Sequence, residues 1–455
     1  MTLYLSYNIE TNNEKIVTSA WSNTDIPVLA VATVKNRITF FQDEGVQISE
    51  HDQIRENLIT AICWHPSDMV ICYGYKDGRV GVWIDEENFN QDEKGGHEGK
   101  ITMIRFNNYG HRVVSVDEKG VITVWKYESS LHKLCTYKGT FTIEDIMFPK
   151  FIYEKMDSEK VPPQDKLDTL FFFCNSGGVL HLADDWNSSP EICRVGGKIK
   201  SLLFYEKENA IIILTSHMLL VKCTIHFNQQ LTPKKVKLSI PSAMADNIKC
   251  TWAGEGLIAL VAGDDLVRFF YLENDQSYFV SVGSTELGKM HTEDSFTCID
   301  FNYRKRTLIV GSSKGKVYMW KCNVTQNIIP ISADSWEIFC VVDSIPSIAD
   351  VKWSLNMGLI HIYNKANQHA MLSETILQKK MNNILKIVQT SHKSLEIIVN
   401  DAGIPLGNNL ILGGSSSIRS KKMEMNESIK GLDLFNNIVL TWNGYAAFIY
   451  EFNGK

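Results

Sequence analysis

The chain lacks long apolar runs, CxxC cysteine pairs and an excess of positive charge, and each lack closes off a class of function. No stretch approaches the roughly 18 uninterrupted apolar residues that span a bilayer, and Met1-Thr2-Leu3-Tyr4 is not a basic segment leading into an apolar one. A formal charge of -6 across 455 residues argues against a general polyanion binder, so nucleic acid is not an expected partner. Ten cysteines are scattered, and Cys63, Cys72, Cys174, Cys223 and Cys298 fall inside β-rich runs. They read as small buried apolar residues in a reducing compartment, which makes a cytosolic chain the simplest expectation. Eleven prolines and 29 glycines leave little room for long disordered tracts. Helical periodicity is almost absent, with an arguable pattern only over 374–387.

What the chain does have is a repeat. Residues 59–83 read as three strands: Ile59, Ala61 and Cys63 alternate with Thr60, Ile62 and Trp64 until Pro66, a second run closes at Lys76-Asp77-Gly78, and a third ends at Trp83. Gly78 supplies the positive φ of a tight turn, and Asp77 tolerates it. One such meander cannot bury both of its faces and needs copies of itself. Copies lie at 17–41 and 101–125, and the closing aromatics Phe41, Trp83 and Trp125 are 42 positions apart each time, a propeller-blade period. Asp77 to Trp83, Lys119 to Trp125 and Lys314 to Trp320 are all six positions, each with a glycine (Gly78, Gly120, Gly315) after the first residue.

More diverged units fall at 142–184, with a charged insertion at 153–166, and at 199–223, 248–272, 296–320 and 348–373. A last unit at 429–452 follows a leftover strand pair at 383–399, and short runs at 133–138 and 234–240 stand where outer blade strands belong. The expected fold is all-β: a single large WD-repeat-type β-propeller over 1–455, with eight or nine blades. Pairing the amino-terminal strand at 2–9 with the carboxy-terminal strand at 446–452 would close the ring and remove both edges. Residues 400–428 lack periodicity and carry Gly413-Gly414 and the basic Arg419, Lys421 and Lys422, so they read as a mobile surface loop.

Several stretches carry a resemblance. Leu3-Tyr4 leading to Ile9-Glu10, Cys63-Trp64-His65-Pro66, Ser277-Tyr278-Phe279-Val280, Gly315 to Trp320, Thr441-Trp442-Asn443-Gly444 and Phe448-Ile449-Tyr450-Glu451 together resemble the amino-terminal propeller of the intraflagellar transport protein 140 family. The resemblance implies a core subunit of intraflagellar transport complex A, located in the cilium or flagellum and at the ciliary base, serving retrograde transport and ciliary entry of membrane proteins. It also implies partners among the other complex A subunits and a ciliary membrane-protein cargo or adaptor, with membrane contact only indirect, through the adaptor or a lipid headgroup. In that family a second propeller and a helical-repeat tail follow, and neither is expected within these 455 residues.

Candidate chemistry is sparse. Gly96-His97 with Asp117 and Trp125 resembles the hydrogen-bonded set that ties a loop to a WD-type blade, a structural role. With Asp77, Gly78, Trp83, Gly120, Gly315 and Trp320 these residues form the expected blade signature. Cys63, His65 and Cys72 lack a fourth ligand for a closed zinc site, so no metal and no cofactor is expected. No GxSxG supports a hydrolase, and Ile418-Arg419 stand where a phosphate loop needs glycine and lysine. A propeller enzyme would need carboxylates or histidines on the channel-facing strands, where 17–21, 59–64 and 296–301 offer only Thr, Cys and Asp300. The expectation is a non-enzymatic scaffold. Only the resemblance separates it from propeller scaffolds of vesicle coats or translation initiation. Trp186 and Trp336, in loops with polar neighbours, and the basic Arg419, Lys421 and Lys422 are the candidate partner contacts.

Overall fold

The computed structural model describes all residues except 1, 9–13, 25–26, 43–46, 86–88, 140, 153–162, 226–232, 239–247, 283–293, 326–327, 354–358, 365, 367, 376, 382–384, 390–393, 401–417, 426–428, 430, 436–437, 443–445 and 452–455. The described strands form ten antiparallel sheets, nine of four strands and one of three. Sheets one to seven are four-strand meanders, from Ile16–Trp21 in the first to Trp336–Asp343 in the seventh. The eighth takes three consecutive strands, Ile348–Trp353, Leu359–Asn364 and His369–Thr375, and is completed by Thr2–Asn8.

Apolar side chains on both faces of the second strand of each ring sheet explain the stacking. In Leu29–Thr33, Ala30 and Ala32 pack toward sheet two, while Leu29 and Val31 share a cluster with Leu359 and Met371 of sheet eight. A strand covered on both faces loses the alternation of a half-exposed one and reads as a continuous apolar run. Each of the eight sheets shares one such cluster with the next, and the cluster of Ile16, Leu29 and Val31 with Leu359 and Met371 joins the eighth back to the first. The eight clusters close a ring.

This corrects the expected closure. Thr2–Asn8 pairs with His369–Thr375, Thr2 opposite Thr375 and Asn8 opposite Ala370, not with the strand Ala447–Glu451. Among the described residues, none after 375 belongs to the ladder or the cluster that completes the ring. Gln378–Met381, Leu385–Gln389, Ser394–Asn400 and Ile418–Glu424 form a full ninth sheet, where a leftover strand pair was expected. Gly431–Phe435, Ile438–Trp442 and Ala447–Glu451 form the tenth. These two share their own cluster, built on Ile387, Leu395, Leu432 and Val439. The helical pattern at 374–387 is contradicted as well, because its described residues lie in or beside strands. Ladder pairing overrode a weak local period.

One regularity was not visible in the sequence. The first strand of seven ring sheets carries a bulge at the same place, just after a buried Ile or Phe: Ile16, Ile59, Ile101, Ile143, Ile199, Phe296 and Ile348. An extra residue here increases the local twist of the strand. First strands of most successive sheets lie beside one another, as the strands lining the central channel do.

Candidate functional site

Sheet three contains the expected signature cluster. The imidazole Nε2 of His97 lies 2.7 Å from Ser115 Oγ, and the Trp125 indole N–H donates to the same oxygen at 2.8 Å. Asp117 accepts the backbone N–H groups of Lys119 (3.0 Å) and Val121 (2.8 Å) on one oxygen and of Glu98 (2.8 Å) on the other. Serine, histidine and aspartate thus stand in the order of a hydrolytic triad. The surroundings rule that chemistry out, since Ser115 and the side chains of His97 and Asp117 have no exposure, and His97 Nδ1 is 3.6 Å from Asp117, beyond hydrogen-bond reach. Burial holds the His97 pKa down at about 4, so the ring is neutral. The carboxylate works as a turn clamp.

The turns around it demand glycine. Gly96 and Gly120 have φ of 90° and 85°, and a Cβ on Gly120 would meet Phe141 O at 2.3 Å. Gly78 and Gly315 adopt the same left-handed conformation, and Asp77 accepts the Arg79 N–H at 3.2 Å and pairs with its guanidinium. Trp83, Trp125 and Trp320 are almost wholly buried. The sequence reading missed a second recurring device, a polar residue ending the second strand and accepting N–H groups of the following turn. Asn175, Thr215, Ser312 and Asn364 repeat what Asp117 does, with different side chains. Because Asp, Asn, Thr and Ser substitute for one another as acceptors, no single letter repeats.

The channel is more charged than expected. Besides Asp300, first strands supply Arg105, Asp145, Lys249, Asp350 and Lys352. Burial raises the pKa of Asp145, with Arg105 and Lys249 opposing it, and burial likewise raises that of Asp300, with Lys352 opposing. Burial works to lower the pKa of Lys352, but Asp350 and Asp300 outweigh it and the net shift is upward. Arg105, Lys249 and Lys352 thus stand among Asp145, Asp300 and Asp350 as opposite charges, and first strands also carry Lys200 and Glu144, the latter paired with Lys198. Asp300 is further occupied, accepting the N–H groups of Phe301 and Trp353 at 2.9 Å each. The signal was one or two charges within an otherwise apolar first strand, Arg105 in Ile101–Phe106 and Asp350 with Lys352 in Ile348–Trp353.

Cys63 and Cys72 stand opposite each other across two strands, and His65 Nδ1 accepts the Asp68 N–H at 3.0 Å while its ring packs on Phe106. Among the described residues no cluster of three or more His, Cys, Asp or Glu has metal-binding geometry. Of the candidate partner contacts, Trp336 is corrected: it opens the strand Trp336–Asp343, is 7% exposed, stacks on Phe269 and donates its N–H to Tyr278 OH at 2.9 Å. Arg419, Lys421 and Lys422 lie on the strand Ile418–Glu424, not in a loop, and Lys422 is paired opposite Glu396. A polar, charged sequence is usual for an outer edge strand, which is why it read as a loop. The rest of that expected loop, 401–417 and 426–428, and the insertion at 153–162 lie outside the described residues. Trp186, in contrast, is 77% exposed.

Two solved structures share this architecture. The C-terminal WD40 domain of Sif2 is 13% identical, with a TM-score of 0.61, covering 82% of this chain and 99% of that one. The computationally designed Ika8 protein is 16% identical, with a TM-score of 0.57, covering 81% and 99%. Both likenesses speak to fold alone, and the first carries the WD40 type. A family profile described as IFT140 first β-propeller matches residues 2–137 and 142–375, stopping where the eighth sheet ends. With that match running from the first to the last strand of the ring, the chain belongs to the IFT140 first β-propeller family.

Proposed function

We propose that the chain is the first propeller of a core subunit of intraflagellar transport complex A, a non-enzymatic scaffold acting in retrograde transport and in ciliary entry of membrane-protein cargo. The observation that carries this reading is the family match over the whole ring, 2–375. The geometry is compatible with it, because the polar groups that resemble catalytic ones are spent on structure: His97, Ser115 and Asp117 clamp turns, and the channel charges answer one another. A rigid ring that displays many loops suits binding distributed over its surface. The partners are the other complex A subunits and a cargo or adaptor, located at the cilium and its base. No helix among the described residues is long and apolar enough to cross a membrane, so any membrane contact is assigned to the adaptor or to lipid headgroups.

The single-domain reading is revised within the same proposal. The described strands of 2–375 are assigned to the ring, and those of 378–451, which share a cluster of their own, to a separate unit. The tenth sheet leaves Phe435 72% and Ile449 70% exposed on one face. The experiment is affinity purification of the tagged full-length protein from ciliated cells. Recovery of the other complex A subunits is expected, and their absence would refute the functional reading while leaving the fold untouched.

A further inference from the structure

We propose that the corner formed by Trp186 and Leu134, where sheets three and four meet, is a docking point for a protein partner that offers an apolar pocket with an uncharged rim. The proposal rests on the scaffold reading above and adds the contact through which that scaffold holds one of its partners.

Three observations carry it. Trp186 is the most exposed large hydrophobic residue among those described, at 77%, and no described side chain stacks on its indole or bonds to it. An indole left in water forgoes about 1.5–3 kcal/mol of burial that a fold-serving side chain would use. The loop beneath it is built rather than slack. Asp184 Oδ1 accepts the N–H groups of Trp186 (2.8 Å) and Ser188 (2.9 Å), Tyr137 OH sits 2.7 Å from Asp184 O, and Asn187 holds a left-handed φ of 69°. The Arg112 guanidinium grips Asp185 through Nε at 2.9 Å and Nη2 at 2.8 Å. A side chain presented this way loses little conformational freedom on binding, the condition under which an aromatic anchor contributes most.

The third observation is the neighbour. A bulge between Val124/Trp125 in the pairing of the last two strands of sheet three leaves Leu134 without a cross-strand partner, 41% exposed, and the adjacent Cys135 lies against the backbone N–H of Asn187, the residue after Trp186. Two apolar groups therefore mark one corner. The local carboxylates are already committed, Asp184 to backbone N–H groups and Asp185 to Arg112, so the corner offers a cation nothing. Asn187 and Ser188 give it an exposed, uncharged rim. Lys133 is one exposed cation beside it, short of the basic cluster that an anionic membrane surface attracts. A protein pocket fits best.

The test uses the full-length protein in ciliated cells, comparing wild type with Trp186→Ala, Leu134→Ser and Trp186→Phe, and quantifying each complex A subunit and cargo recovered. Expected is a fall of about tenfold or more in one identified component for Trp186→Ala, a smaller fall for Leu134→Ser, near-normal recovery for Trp186→Phe, and unchanged melting temperatures. Equal recovery of every component with wild type and Trp186→Ala overturns the docking corner and leaves the scaffold reading standing. Failure of wild type to recover any complex A subunit overturns both. Loss only of binding to phosphatidylserine-containing vesicles, with protein recovery intact, overturns the protein partner in favour of a membrane.

Discussion

The Thr60 hydroxyl donates to the carbonyl oxygen of Ile101 at 2.6 Å, a bond that runs from the first strand of sheet two to the first strand of sheet three. Thr297 repeats it toward Ile348 at the same distance, from sheet seven to sheet eight. In both places a glycine of the adjoining second strand, Gly74 or Gly311, makes room, since a Cβ there would lie 2.3 Å from an Ile101 methyl or 2.7 Å from an Ile348 methyl. Thr60→Val keeps the shape and removes the donor, so a loss of about 1 kcal/mol is expected. Gly74→Ala forces the two sheets apart and is expected to cost more, about 1–3 kcal/mol. Denaturant midpoints of the two variants check the order.

Ser115→Ala separates the structural from the catalytic reading of sheet three. The substitution strips an acceptor from the buried Trp125 N–H and a partner from His97 together. Each buried polar group left unsatisfied costs about 1–3 kcal/mol, so a stability loss of roughly 2 kcal/mol or more is expected by chemical unfolding. A variant of unchanged stability would contradict the clamp.

Acid sensitivity follows from three buried histidines. Burial holds His97 and His369 at about 4 and His361 well below its usual value, and His361 Nε2 lies 2.9 Å from His369 Nδ1. The folded state keeps these rings neutral while the unfolded chain binds protons near the ordinary value of 6.5. Their effect is therefore absent above about pH 6.5, and stability falls as pH drops from there toward 4, by up to about 1.4 kcal/mol per pH unit for each histidine. Unfolding curves from pH 7.5 to 4 test the slope, and His369→Gln is expected to flatten it.

Ring closure gives the fourth prediction. Met371 is fully buried where sheet eight meets sheet one, so Met371→Ala is expected to cost about 2–5 kcal/mol. Deleting residues 2–8 leaves His369–Thr375 without its outer partner and lowers stability further. Truncation after residue 376 is expected to leave the ring transition where it was, because 377–451 draws on a separate core. Equal damage from both deletions, read by calorimetry, would restore the closure first expected from the sequence.

The blades were legible where they were regular. Asp77-Gly78 to Trp83, the matching positions at Gly120 and Trp125, and Gly315 to Trp320 announce hairpins because a tight turn needs a left-handed residue and a sheet interior needs a large apolar one. His97 and Asp117 were legible as a pair, but their link through Ser115 was not, because serine also occurs in loops and carries no spacing of its own. The channel belt has no such signature, because its charges lie on inner strands such as Ile101–Phe106 and Ile348–Trp353 while 17–21 and 59–64 carry none. Trp336 and Trp186 looked alike in sequence, each with aspartate, serine or asparagine beside it, and only the fold buried one against Phe269 and left the other in solvent.

By itself the sequence determined the all-β class, the blade period and the turn chemistry, since these depend on residues within a few positions of one another. Only the tertiary structure decided which strand closes the ring, that eight sheets and not nine complete it, and that Trp186 stands out at a corner with Leu134. Those outcomes depend on partners far apart in sequence, from Leu134 and Trp186 to Thr2 and Thr375. Thr2–Asn8 and Ala447–Glu451 both read as strands, and only the ladders show that the first pairs with His369–Thr375 while the second pairs with Ile438–Trp442.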